Sequence, residues 1–250
     1  MKIITLSTLG AWSLFTAGLL GAVVASATTP GPTTIIQCPG SDELRQLPSI
    51  NSGNTFGAVF WTDGYMVAPM LPRFPVITRC TADGPIFWVS TVKTVGSMPP
   101  WGAEADTPHA WRNARTVRDL TGQEFLLAIA QGLGDTPDKL NYLRRQAWWE
   151  ANHAHRPRGD AAPVATASDF APGTAARANL EALAAALDEA QPEQRLTKAE
   201  ALRELGQFDE AARLLDDDRL KDARLQRWVT MIRERIQLRD ARVAKLKLER

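Results

Sequence analysis

The chain has 250 residues, is 44% hydrophobic and carries a formal net charge of +1, which provides enough apolar residues for one sizeable core or two small ones. Residues 181–218 include eleven acidic and four basic residues, a net of −7, whereas residues 219–250 include eleven basic and four acidic, a net of +7. Because adjacent segments of opposite sign neutralise each other, the sequence predicts no uncancelled basic surface and no nucleic-acid binding.

The first segment has the pattern of a secretory leader. Residues 3–27 follow Lys2, contain no charge and end in Ala25-Ser26-Ala27, the small-x-small pattern of a cleavage site. We therefore expect a signal peptide over residues 1–27 and a polar spacer over residues 28–34. The alternative is an uncleaved leader that anchors the chain to the inner membrane, because an apolar run of this length can span a bilayer. Both predict an exported protein, in the periplasm or outside the cell.

The chain has two cysteines, Cys38 and Cys80. In an oxidising compartment they are expected to form one disulfide, which would stabilise the fold by about 3–4 kcal/mol through closure of a long loop. Two free buried thiols are the alternative.

Residues 35–96 have the composition of a small β-module. Ala58–Trp61 and Tyr65–Val67 are separated by a turn that contains glycine, and so are Val76–Cys80 and Ile86–Val89. This pattern predicts two short antiparallel hairpins. A module of this size is marginal by itself, so a disulfide would help to hold it together.

The cysteines also resemble the remains of a zinc ribbon. Cys38-Pro-Gly-Ser41 and Cys80-Thr-Ala-Asp83 look like its two knuckles, but Ser41 and Asp83 stand where the second cysteines would be. A structural zinc ion needs four sulfur or nitrogen ligands, so we expect no zinc and no other cofactor. The resemblance implies a degenerate ribbon in which the two remaining cysteines lie close enough to bond.

After a linker over residues 97–112, the range 113–158 is expected to be helical. Thr121 and Glu124 form a capping box that opens one helix, and Pro137 suits the first turn of the next. This central helix, within Asp138–Arg156, is apolar on two sides, which predicts that it is sandwiched between two layers. Trp148 is expected to face the other helices. Trp149 is expected to pack on the β-module or on the loop that follows Gly159.

The same helix carries the candidate contacts with a partner. Trp148 and Trp149, with Asn152, could form an aromatic binding platform, and Trp149 would be the leading contact if it were exposed. Tyr142 and, nearer the C-terminus, Arg239 are further candidate contacts. Paired tryptophans are more often part of a core, and that interpretation is the alternative.

Catalytic and metal sites are weakly represented in the sequence. His153 and His155 would diverge at a helix end, where the helix dipole explains them without a metal, so they are only weak candidate ligands. An envelope hydrolase or a metal-binding protein would require His109 to converge with them. No nucleophile motif is found, and the sequence therefore predicts a non-catalytic protein.

After a loop over residues 159–173, the range 174–250 is expected to be helical. Ala199, Gly206, Phe208 and Ala211 have the spacing of helix-pairing positions in a tetratricopeptide repeat, and this segment resembles one such repeat. A long last helix, about Asp222–Leu248, would cap the preceding pair. A homodimer through this helix is the alternative.

Together these patterns predict an α+β protein, in which a small β-module of short antiparallel hairpins precedes a mainly helical domain. The resemblance to the repeat implies an adaptor, assembly factor or inhibitor that acts by protein–protein interaction in the cell envelope. The sequence does not name the partner.

Overall fold

The computed structural model describes residues 28–102, 104–156 and 170–246. The predicted leader, most of the predicted loop over residues 159–173 and the last four residues lie outside these ranges. Within the described ranges the N-terminal half forms short strands and the C-terminal half forms helices, so the predicted α+β class is confirmed. No helix in these ranges combines the length and the apolar character needed to cross a membrane.

The elements alternate little along the chain. The strands are β1 (Thr29–Pro30), β2 (Thr33–Gln37), β3 (Leu44–Leu47), β4 (Ile50–Ser52), β5 (Val59–Phe60), β6 (Met66–Val67), β7 (Ile77–Arg79), β8 (Ile86–Trp88), β9 (Thr94–Met98) and β10 (Arg115–Thr116). The helices are α1 (His109–Asn113), α2 (Gly122–Ala130), α3 (Pro137–Ala151), α4 (Ala175–Ala186), α5 (Pro192–Glu204), α6 (Phe208–Leu215) and α7 (Ala223–Gln237). Short 3₁₀ turns follow β8, α3 and α6.

The two predicted hairpins are confirmed, since β5 pairs with β6 and β7 pairs with β8, both antiparallel. The largest sheet was not predicted. It has the order β10-β3-β2-β9, and β10 runs parallel to β3. Strand β10 lies where the sequence predicted the start of the helical region, and α1 lies partly in the predicted linker. A two-residue strand has too short a pattern to be recognised without its partner.

The predicted disulfide is confirmed. Cys38 follows β2 and Cys80 follows β7, and their Cα atoms are 6.2 Å apart in a bonded pair. The buried guanidinium of Arg45, on β3, also donates to the backbone oxygen of Cys80. The disulfide therefore links the four-stranded sheet to the β7–β8 hairpin.

Helix α3 lies between two layers, as its two apolar sides predicted. Leu143 and Ala147 pack in a cluster with residues of β7, β8 and α2. Trp148 belongs to a different cluster, formed with helices α4 to α7. The capping box of α2 and the first-turn position of Pro137 in α3 are also confirmed.

Helices α5 and α6 form a tight pair. Gly206 makes the turn between them with φ of 81°, and Ala199 and Ala211 are fully buried. Phe208 is the first residue of α6 and is buried as well. The positions expected to pair the helices thus lie in the core between them, whereas the resemblance to a tetratricopeptide repeat stays a prediction.

The predicted extent of the last helix is wrong. Helix α7 ends at Gln237, and Val243 and Leu246, which continue its apolar spacing in sequence, lie on an extended tail. The tail forms an antiparallel bridge with the β5–β6 hairpin at Trp61 and Lys245. The apolar spacing did not predict the end of the helix, because Val243 and Leu246 are buried against the hairpin as fully as they would be on a helix face.

Candidate functional site

Polar side chains from three parts of the chain meet inside the protein at the C-terminal end of α3. Asp63 comes from the turn between β5 and β6, Asn152 and Arg156 come from the end of α3, and Glu204 comes from α5. These four side chains are between 1% and 7% exposed. We call the set of Asp63, Asn152, Arg156, Glu200, Arg203 and Glu204 the junction.

Asn152 is the central donor of the junction. Its Nδ2 donates to Asp63 Oδ2 at 3.0 Å and to Glu204 Oε2 at 3.0 Å. The indole Nε1 of Trp148 donates to the same oxygen of Glu204 at 2.6 Å, and the guanidinium of Arg156 forms an ion pair with Asp63. Because these contacts cross between the β-module and the helices, they fix one against the other.

A second layer of the junction lies within α5. Arg203 donates from Nε and Nη2 to both carboxylate oxygens of Glu200, at 2.7 and 2.6 Å. A paired fork of this kind is the strongest form of ion pair between side chains. Arg203 also donates to the backbone oxygen of Asp240, which brings the C-terminal tail into the same network.

The junction has three carboxyl groups and two guanidinium groups. Burial raises the pKa of Glu204 well above its ordinary value, and the neighbouring Glu200 adds to the shift. Burial also raises the pKa of Asp63, against the opposing effect of Arg156. A buried cluster with one carboxyl in excess favours retention of a proton, because an uncompensated buried charge is costly.

A small cleft lies beside Trp149, outside the junction. It encloses about 100 Å³ between β-module and helices and is lined by Tyr65, Arg73, Phe74, Pro75, Ile77, Asp119, Phe125, Tyr142, Gln146, Glu150 and His153. We call it the acidic cleft, because Asp119 and Glu150 both face it. Partial burial, together with the nearby Glu150, raises the pKa of Asp119.

Arg73 and His153, which also line the acidic cleft, are already in contact with aromatic or acidic neighbours. The guanidinium carbon of Arg73 lies 4.8 Å from the ring centre of Trp149. His153 Nδ1 lies 3.1 Å from Glu150 Oε1, and its Nε2 lies 3.3 Å from the hydroxyl oxygen of Tyr65.

The four residues predicted to contact a partner lie in different surroundings. Trp149 is partly buried and donates from Nε1 to the backbone oxygen of Asp63 at 3.0 Å, so the prediction that it packs on the β-module is confirmed. Tyr142 lines the acidic cleft. Asn152 is 1% exposed, and its prediction as a partner contact is wrong because its amide is enclosed by the junction. Arg239 is exposed, with its guanidinium carbon 4.8 Å from the ring centre of Phe208.

The three histidines occupy different surroundings. His109 lies in α1 beside Asn113, His153 is exposed at the cleft, and His155 is buried in the 3₁₀ turn after α3. Within the described residues, no three His, Cys, Asp or Glu side chains are grouped in a way that could hold a metal ion.

Sequence reasoning missed Glu200, Arg203 and Glu204 as junction residues. One signal was present: α5 places charged residues among its apolar ones, and Arg203 and Glu204 are nevertheless almost fully buried. A helix whose charges fall inside its apolar stripe indicates buried ion pairs, but the sequence does not name their partners.

Comparison with known proteins supplies no relative for this chain. No protein-family model, curated protein or solved structure matches it. The junction and the acidic cleft are therefore the features of the structure that bear on function.

Proposed function

We propose that the protein is an exported, non-catalytic adaptor, assembly factor or inhibitor that binds a partner protein through the acidic cleft. Export is supported by the leader pattern of residues 1–27 and is compatible with the disulfide between Cys38 and Cys80. An N-terminal sequence of the mature protein that begins at Thr28 would distinguish a cleaved leader from a membrane-tethered scaffold.

A non-catalytic role is supported by the bonding and burial of the charged groups in the junction. Its carboxyl and guanidinium groups are bonded to one another, and they are buried away from solvent. A catalytic acid or base needs to reach a substrate within hydrogen-bonding distance, whereas these groups are occupied in joining the β-module to the helices.

The acidic cleft carries the binding proposal. Asp119 and Glu150 face it together with Tyr65 and Tyr142, so a cationic group entering it would meet carboxylates and aromatic rings at once. Its volume of about 100 Å³ is small compared with the pockets that hold whole small-molecule ligands, and it suits the end of one side chain. We infer that a lysine or arginine side chain of the partner is the anchor. The helix pair predicted from the repeat-like segment would form part of the rigid scaffold that holds the acidic cleft.

The proposal can be tested with a defined probe. N-acetyl-lysine methylamide, titrated into the mature protein, should shift the NMR signal of the Trp149 indole N–H, whereas N-acetyl-norleucine methylamide, of similar shape but uncharged, should not. The double variant Asp119→Asn/Glu150→Gln should lose the response. Asp138→Asn is the control: it removes an exposed carboxylate from α3, the helix that carries Glu150, but Asp138 does not line the cleft.

The partner itself can be sought by photo-crosslinking from position 146 in cell-envelope extract. A partner bound through the cleft should be captured by the natural protein and by Asp138→Asn, and lost with Asp119→Asn/Glu150→Gln. Equal responses of the two variants, in both experiments, would refute the proposed site.

A further inference from the structure

Helix α7 ends without a glycine or a proline, and just beyond its end the Asp240 side chain accepts a hydrogen bond from the backbone N–H of Arg242. The range 219–250 contains neither glycine nor proline, and its apolar spacing continues through Val243. The helix nevertheless stops at Gln237. The tail that follows is extended and pairs antiparallel with the β5–β6 hairpin through Trp61 and Lys245. We define the hinge as residues 238–242 and the tail strand as residues 243–246.

The hinge closes the helix in the same way as two glycine-containing turns elsewhere in the chain. After α2 and after α5, Gly132 and Gly206 have φ of 76° and 81°, and the next N–H bonds to a carbonyl five residues back. After α7 the same hydrogen bond runs from Asp240 to Arg235 at 2.9 Å, and the left-handed residue is Arg239, with φ of 49°. Among the described residues, Arg239 is the one non-glycine residue with positive φ. A side chain makes this conformation costly.

The tail strand adds a third strand to the β5–β6 hairpin. Thr62 N donates to Ala244 O at 2.9 Å, and Leu246 N donates to Phe60 O at 2.8 Å. The hydroxyl of Thr62 also accepts from Ala244 N at 3.0 Å. These bonds occupy the edge of β5 that β6 leaves free, an arrangement identical in kind to the addition of a peptide strand to a sheet.

The tail strand is also buried. Val243, Ala244 and Leu246 are 7%, 6% and 3% exposed. Trp61 and Thr62, beneath it, are 4% and 3% exposed. Loss of the strand would uncover apolar surface and an unpaired strand edge, so the edge needs an occupant.

We propose that the tail strand exchanges between two copies of this chain, so that each copy's β5 edge is completed by residues 243–246 of its partner. Exchange can preserve the contacts of the tail strand. It changes the hinge, where Asp240 is bonded to Arg203, Arg235 and Arg242 in the closed form. In the opened hinge Arg239 leaves its left-handed conformation, and α7 can continue along residues that suit a helix. Strain in a short closed hinge is the general driving force for such exchange.

A cysteine pair reports which chain supplies the strand. Thr62 and Ala244 face each other across the pairing, so Thr62→Cys/Ala244→Cys should form a disulfide under mild oxidation. After refolding at high concentration with the native disulfide intact, monomer and dimer are separated by size and run on denaturing, non-reducing gels. The dimer fraction should give a covalently linked dimer and the monomer fraction an internal bond. Absence of a dimer, or internal bonds within it, would overturn the proposal.

Substitutions at Arg239 test the hinge independently. Arg239→Ala removes the contact with Phe208 and serves as the reference. Relative to it, Arg239→Gly should favour the closed monomer, and Arg239→Val should favour the exchanged dimer, by about tenfold for each hinge in the direction stated. Circular dichroism and the intact native disulfide verify folding. A dimer fraction that is equal in all three variants, or that changes in the reverse order, would rule out hinge-controlled exchange.

Discussion

The carboxyl group of Glu204 accepts a hydrogen bond of 2.6 Å from the indole Nε1 of Trp148, and both side chains are at most 2% exposed. Trp148 thus has two roles: its ring packs with the helical core, and its N–H donates to a buried acid. A buried acceptor that loses its donor keeps the penalty of having left water.

Trp148→Phe keeps a six-membered aromatic ring and removes the pyrrole part of the indole, including the N–H donor. We expect the free energy of unfolding to fall by about 1–3 kcal/mol, because the Glu204 carboxyl group remains buried without one of its hydrogen-bond donors. Urea denaturation measures it. Trp228→Phe, which removes a donor to the neutral backbone oxygen of Trp61, is the control and should have a smaller effect. An equal loss in both variants would show that the Glu204 contact is no stronger than an ordinary one.

Glu204→Gln should change how stability depends on pH. The pKa of Glu204 is raised in the folded protein, so the folded state holds a proton that the unfolded chain releases near its ordinary pKa of 4.5. As pH rises above that value, the natural protein loses stability until the folded pKa is passed, by at most about 1.4 kcal/mol per pH unit for one proton. The glutamine side chain at position 204 does not titrate. The stability of the variant relative to the natural protein should therefore rise as the pH increases from 4.5 to the folded-state pKa of Glu204.

This prediction is checked by urea unfolding at several pH values from 4.5 upward. Glu181→Gln, at a surface ion pair with Arg177, is the control and should parallel the natural protein. A constant difference between Glu204→Gln and the natural protein would mean that Glu204 is ionised in the fold at all these pH values.

The parts of this fold that could be predicted are those with a local cause. The capping box of Thr121 and Glu124, the glycine turn at Gly206 and the two apolar sides of α3 each depend on residues a few positions apart. Helix periodicity and turn chemistry are expressed at that range.

The junction could not be predicted because its partners are distant in sequence, and the same holds for the β10–β3 and β2–β9 pairings of the main sheet. Asn152 lies 89 residues from Asp63 and 52 from Glu204, and each residue by itself suits an exposed position. The prediction of where α7 ends was wrong for a related reason. A longer helix and a strand buried on a sheet edge would both require apolar residues at positions 243 and 246. The acidic cleft is likewise assembled from separate segments.

Removal of the disulfide should destabilise the protein substantially. Cys38 and Cys80 are 42 residues apart, and a loop of this length contributes about 4 kcal/mol in the chain-entropy model. Cys38→Ser/Cys80→Ser should therefore unfold at markedly lower urea concentration, and reduction of the natural protein should have a similar effect. Thiol labelling of denatured, unreduced natural protein should detect no free thiol, whereas two labelled thiols per chain would contradict the bonded pair.

The ion pair of Asp63 and Arg156 should show strong energetic coupling, because both side chains are almost fully buried. Arg156 also donates from Nη1 to the backbone oxygen of Trp149 at 2.8 Å and stacks on Tyr65 at 4.2 Å. Arg156→Ala would leave the Asp63 carboxyl without its cation and should cost about 3–5 kcal/mol. Arg156→Lys should recover little of this, since an ammonium group does not reproduce the planar contacts of a guanidinium group.

A double-mutant cycle with Asp63→Ala separates the pair from the general cost of each change. The double variant should be more stable than the sum of the single effects predicts, with a coupling of about 1–3 kcal/mol measured by urea unfolding. The exposed pair of Asp222 and Arg224 provides a matched cycle in which the coupling should be much smaller. Equal couplings in the two cycles would mean that the Asp63–Arg156 pair does not join the end of α3 to the β5–β6 turn, because a buried contact made only in the folded state must be reflected in the free energy of unfolding.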